Sequence, residues 1–145
     1  MEQLVIYAVY FLLKCIAYVG WCYYGLRALR KQSSIEAAIR YGLARVGLGI
    51  LFGVGIFFLG GTLQATAPAH PWLLYLLIYV PVRYVEWSIM AVLLGAKGGE
   101  AHGIGDAATQ RWIIQGIVVS HLSDIPMILL YSASGSLLPV GRFLC

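Results

Sequence analysis

Charge is what this chain has least of. Of its 145 residues, 11% are Asp, Glu, Lys or Arg, less than half the roughly 25% of an ordinary water-soluble domain. So few charges cannot cover a water-facing surface of normal size, which excludes a soluble enzyme, a nucleic-acid-binding module and a disordered tail. A net charge of +4 does not reopen the nucleic-acid reading, because the basic residues cluster where a membrane protein carries them. Cysteine is scarce too, at three residues. Cys15 and Cys22 are seven positions apart, roughly 10 Å along a helix and beyond disulfide reach, and Cys145 is far from both. No CxxC and no clustered Cys/His spacing occurs, so the cysteines read as small apolar residues, with no metal expected. No cofactor is indicated. The stretch with Gly98, Gly99, Gly103 and Gly105 lacks the preceding strand and the following Lys-Ser/Thr of a phosphate cradle, and reads as a flexible loop.

Apolar residues are what the chain has in excess, at 61%. A bilayer core of ~30 Å takes about 20 apolar helical residues. Four segments qualify, at about 4–26, 43–63, 72–95 and 112–131. Their apolar runs are continuous rather than alternating, so helices and not barrel strands are expected. Arg27, Arg30, Lys31, Arg40 and Arg45 lie between spans one and two, and Lys97 and Arg111 between spans three and four, against Arg142 alone on the other side. The positive-inside rule then puts both loops in the cytoplasm. The expected fold is an all-α integral membrane protein: one transmembrane domain over 1–145, a four-transmembrane-helix antiparallel bundle with N and C termini on the outer side. Span one reads as an anchor rather than a cleavable signal, because its positive flank follows its apolar run.

Local signals refine the ends. Ser33 and Glu36 have capping-box spacing, which predicts a helix start near Ser33 and an amphipathic extension over about 33–44, with Arg40 reaching lipid phosphate. Pro71 suits a first helical turn, and Asp106 or Thr109 a cap for span four. By this topology His70 is outside, His102 cytoplasmic and His121 in the membrane, so the three do not share a haem.

The informative residues are the ionisable ones inside the spans: Lys14, Arg83, Glu86, His121 and Asp124. Each full charge at mid-membrane costs ~2.5–3.5 kcal/mol on insertion scales, so four left unpaired would cost on the order of 10 kcal/mol. Lys14 and Arg83 balance Glu86 and Asp124, a sum of zero. Tyr79, Arg83, Glu86 and Met90 fall within about 60° of arc on span three. Ser120, His121, Asp124 and Tyr131 share a face of span four; Tyr7, Tyr10, Lys14, Tyr18 and Trp21 share one of span one. Three polar stripes are best accommodated pointing inward, with Lys14, Tyr18, Tyr79, Arg83, Glu86, Ser120, His121 and Asp124 as candidate ligand-binding residues. Pro81 and Pro126 withdraw donors from the carbonyls of Leu77 and Leu122, and are expected to kink the helices near this cluster. Span two carries a glycine strip, Gly42, Gly49, Gly53 and Gly60, within ~40° of arc, which suits close helix packing or a homo-oligomer seam.

Arg83-Tyr84-Val85-Glu86-Trp87 resembles the Arg-Tyr-x-Asp-Trp stretch of the third helix in microbial rhodopsins, but over five residues only and without a retinal lysine in the last span. The layout of four spans with a basic first loop is similar to that of the membrane-associated glutathione and eicosanoid enzymes. That family's arginine is followed by asparagine and glutamate; Arg40 and Arg45 are followed by neither within their span, so the likeness is topological.

Three functions fit. In the first, the protein binds or transports a small amphipathic or anionic molecule, held by Arg83 and balanced by Glu86 and Asp124, with His121 carrying protons. In the second, a membrane enzyme acts on a lipid or quinone-like substrate, with His121 as acid/base oriented by Asp124, and Arg83 or Lys14 stabilising negative charge. In the third, a structural or accessory subunit is held by an internal salt-bridge network. Membrane lipids are the expected partners, at the cell membrane.

Overall fold

The computed structural model of the chain describes residues 2–30, 34–66, 71–95 and 105–133, with side chains over 5–29, 34–56, 76–95 and 105–127. It consists of four helices: α1 (Glu2–Arg30), α2 (Ile35–Thr66), α3 (Pro71–Gly95) and α4 (Ala107–Ala133). No strand occurs among the described residues.

Helices α1, α2 and α3 are long and apolar enough to cross a membrane, over Val5–Leu29, Ile35–Ile56 and Leu76–Gly95. The fourth expected span is helical but does not reach the same apolarity among the described residues. Gln110, Arg111, Gln115, Ser120, His121, Ser123 and Asp124 dilute it.

The helix expected to start near Ser33 and to run on into span two begins at Ile35. The amphipathic extension and span two are one continuous 32-residue helix. Ala38, Gly42, Arg45, Val46 and Gly49 are all buried, a repeat of three and four that keeps one face of α2 against its neighbours from the first turn. Ser34 caps the helix: its Oγ accepts from the Ala37 N–H at 3.3 Å, and its carbonyl accepts from the Ala38 N–H; Ser33 lies outside the described residues. Glu36 pairs with Arg40 one turn on, at 2.5 Å on the exposed face. Helix α4 is capped by Asp106, whose Oδ2 accepts from the Thr109 N–H at 3.4 Å.

Helix α1 packs against α2 and α4, and α3 against α4 and α2, so the four form a ring with α1 and α3 meeting across its short diagonal. Contacts run in opposite order along α1 and α4, with Tyr10 at Asp124 and Trp21 at Trp112. The same holds for α2 and α3, with Tyr41 at Leu93 and Ile56 at Tyr79. Both pairs are antiparallel.

Close approach is set at three glycines. A Cβ on Gly42 would lie 2.7 Å from the Val19 Cα, so α1 and α2 touch backbone to backbone there. The glycine strip is thus used inside the chain at Gly42, and Gly49 and Gly53 are buried as well; the surroundings of Gly60 lie outside the described side chains. Gly25 and Gly116 make room for indoles: a Cβ would fall 2.5 Å from Trp112 Nε1 and 2.7 Å from Trp87 Cδ2. Trp87 and Trp112 meet edge to face with centroids 5.1 Å apart. Trp21 and Trp112 each donate Nε1–H to the other's carbonyl, at 3.3 and 3.4 Å.

The distribution of polarity is inverted relative to a water-soluble bundle. Ile114, Val118, Leu122 and Ile125 of α4 and Val5, Val9, Leu12 and Ile16 of α1 are exposed, while Lys14, Arg45, Arg83, Glu86 and Asp124 are buried. Charged residues are almost never fully buried in water-soluble proteins, so an apolar solvent outside is the arrangement this bundle fits. Pro81 and Pro126 lie within α3 and α4, which continue through them. Both prolines, with Leu77 and Leu122, lie on the exposed face. Their rings face outward, away from the charged cluster near which they were expected to kink the helices.

Candidate functional site: a charge network through four helices

The stripe on α1 that carries Tyr10, Lys14 and Tyr18 turns into the bundle, and all three are buried. Asp124 comes to it from α4. Its Oδ1 accepts from the Tyr10 hydroxyl at 2.5 Å and lies 2.9 Å from Lys14 Nζ, while its Oδ2 accepts from Arg83 Nη2 on α3. One carboxylate thus meets two cations and a phenol, through both of its oxygens. One turn further along α3, Glu86 Oε2 accepts from Arg45 Nη2 at 2.5 Å. Because Arg83 and Glu86 share a face of α3, the pairs link α1, α4, α3 and α2 in sequence.

Arg45 corrects the sequence reading. Counted there among the cytoplasmic bases, it is instead fully buried. Its guanidinium lies 4.8 Å from the Tyr18 ring centroid and 5.0 Å from that of Trp87, within cation–π range of both faces. The charge balance changes with it. Among the described residues, Lys14, Arg45 and Arg83 face Glu86 and Asp124, three formal positive charges against two negative, an excess of +1 where the sequence count came to zero. The signal that could have revealed Arg45 is helical spacing: it is seven residues from Ala38 and four from Gly49, on the face that packs.

The remaining candidates fall around this network. Tyr79 is buried, with Arg83 5.7 Å from its ring centroid. Ser120 is committed to structure, accepting from Trp87 Nε1 at 3.0 Å and donating to the Gly116 carbonyl at 2.9 Å. His121 is half-buried, and its Nδ1–H donates to the Ile117 carbonyl at 2.8 Å. That bond ties the ring to its own helix and leaves the lone pair of the neutral imidazole on Nε2. Of the α1 stripe, Tyr7 is exposed, and Tyr131 on α4 lies outside the described side chains. His70, His102 and Cys145 lie outside the described residues; Cys15 and Cys22 are free thiols. Among the described residues no group of three or more His, Cys, Asp or Glu stands ready to hold a metal.

Chemically, this is a desolvated cationic core whose donors outnumber its acceptors. Tyr18 Oη, Arg45 Nε and Nη1, and Glu86 Oε1 are buried and make no hydrogen bond among the described residues. An arrangement of that kind attracts an anion or a hydrogen-bonding group. No family model, curated protein sequence or solved structure matches the chain.

Proposed function

We propose that the chain is a four-span protein of the cell membrane, with both termini outside, that binds a small anionic molecule in its charged core and carries it across. The observation that supports this reading is the charge count: three buried cations against two buried carboxylates. An uncompensated charge in an apolar interior is expensive, and a bound anion removes that cost. Helix α4 completes the membrane bundle in this reading, its exposed side presenting Ile114, Val118, Leu122 and Ile125 to lipid while Thr109, Ser120, Ser123 and Asp124 turn inward.

The test is uptake and binding of small anions by purified protein in liposomes, with Arg83→Gln and Asp124→Asn alongside. Wild-type protein should bind or move at least one anion above the level of empty liposomes; Arg83→Gln, which removes the excess positive charge, should reduce that signal at least tenfold, and Asp124→Asn, which raises the excess, should not. Absence of any anion signal from folded wild-type protein overturns the proposal. It would favour a second reading, in which the ion pairs hold the helices in register. That reading also has an observation behind it, since Lys14–Asp124, Arg83–Asp124 and Arg45–Glu86 each join two different helices. No observation favours the enzyme reading, so His121 is not carried forward as a catalytic base.

A further inference from the structure

We propose that Tyr18, Arg45 and Glu86 form the anion's seat, and that it takes a tetrahedral oxyanion still bearing an O–H group, as in hydrogen phosphate or a phosphomonoester. The inference rests on the anion-binding reading above and narrows it to one place and one chemistry.

The three residues come from α1, α2 and α3, and each is fully buried. Arg45 uses one N–H group on Glu86 Oε2. Around that bond remain the donors Arg45 Nε and Nη1 and the Tyr18 hydroxyl, and one acceptor, Glu86 Oε1. Buried polar groups are normally satisfied, so four unmet ones from three residues around a single guanidinium mark a place suited to a further partner. The Tyr18 and Trp87 rings, at 4.8 and 5.0 Å from the Arg45 guanidinium carbon, hold it in place.

Their polarity specifies the partner. Several acceptor oxygens are needed for Arg45 and Tyr18, and one hydrogen must be offered to Glu86 Oε1. Sulfate and an ionised carboxylate only accept, so each would set a lone pair against that of Glu86. A neutral carboxylic acid could donate, but leaves the +1 excess of the core in place. A hydrogen phosphate group supplies anionic oxygens for the guanidinium, which suits them geometrically, and a P–O–H for Glu86. The seat is sealed in this conformation. Among the described residues, α2 and α3 share the smallest interface of any neighbours in the ring, so the ligand enters by parting them between Arg45 and Glu86.

The experiment is calorimetric titration of the full chain in phosphatidylcholine nanodiscs with inorganic phosphate, sulfate and dimethyl phosphate at matched ionic strength. A parallel arm measures capture of phosphatidate from mixed-lipid discs. Phosphate, phosphatidate or both should bind, and the bound form should exceed sulfate and dimethyl phosphate by ~100-fold or more, as expected when a buried group must be matched by a ligand hydroxyl. Phosphatidate captured without free phosphate identifies a lipid headgroup as the source, and the reverse identifies a soluble ligand. Glu86→Gln should admit sulfate, because an amide can donate where the carboxylate cannot. Tyr18→Phe should weaken phosphate about tenfold, the loss of one hydrogen bond, without changing the preference. If Glu86→Gln does not fold, the wild-type series and Tyr18→Phe still decide. Sulfate or dimethyl phosphate binding as well as phosphate overturns this inference but leaves the anion-binding function standing. Absence of binding by every anion overturns both.

Discussion

At Asp124 a single carboxylate faces Lys14, Arg83 and Tyr10, so neutralising it leaves two buried cations without their counter-ion. Asp124→Asn should lower stability by about 3–5 kcal/mol, the cost of breaking a buried ion pair from one side. Thermal unfolding in detergent measures this; a change under ~1 kcal/mol would mean that the cations find other partners. The Arg45–Glu86 pair allows a sharper version. Arg45→Met alone and Glu86→Leu alone should each cost about 3–5 kcal/mol, while the double variant should recover most of that loss, because apolar side chains replace a buried pair at little cost. Equal losses in single and double variants would contradict a direct pairing. Of these residues, Lys14, Arg83, Glu86 and Asp124 were legible in the sequence, since a charge inside an apolar run stands out. Arg45 was not. Near the end of a span a base fits the positive-inside count equally well, and only the rotation of α2 about its own axis separates a headgroup contact from a core contact.

Helix contacts depend on glycines that the sequence presented as equals. The strip from Gly42 to Gly60 stood out by its spacing, whereas Gly25 and Gly116 carry no pattern and yet receive the Trp112 and Trp87 indoles. Gly25→Ala and Gly116→Ala should each cost about 1–3 kcal/mol by overpacking. Gly20 and Gly47 have no heavy atom within 4 Å of where a Cβ would stand, so alanine there should add about 0.5–1 kcal/mol by removing backbone freedom from the unfolded chain. Shifts of opposite sign in unfolding midpoint between the two sets check this, and a neutral Gly25→Ala would contradict the close approach. The long apolar runs foretold the existence of every helix. The helical start of α2 near Ser33 was legible too, but not that residues 34–44 turn a face at Ala38 and Gly42 into the bundle.

For the whole molecule, the open question of topology reduces to parity. Four crossings place both termini on one side of the membrane, and three place them on opposite sides. Reporter fusions at Met1 and Cys145 should report the same, outer side, with a reporter in the loop carrying Lys97 on the inner side. Termini on opposite faces would remove α4 from the set of crossing helices. Helix α4 is where sequence and structure diverge most: its polar side chains lower its apolarity, although they include the carboxylate that gathers charges from α1 and α3.

What the sequence by itself determined is the solvent and the class: too little charge for water, apolar runs of bilayer length, and ionisable groups too costly to leave unpaired at mid-membrane. Only the tertiary structure decided which charge meets which. Depth along a span can be counted in residues, but pairing depends on the rotation and tilt of four helices at once, which no single stripe encodes. Those angles bring Lys14 and Arg83 to one carboxylate, turn Arg45 inward to Glu86, and leave a core with one more positive charge than negative.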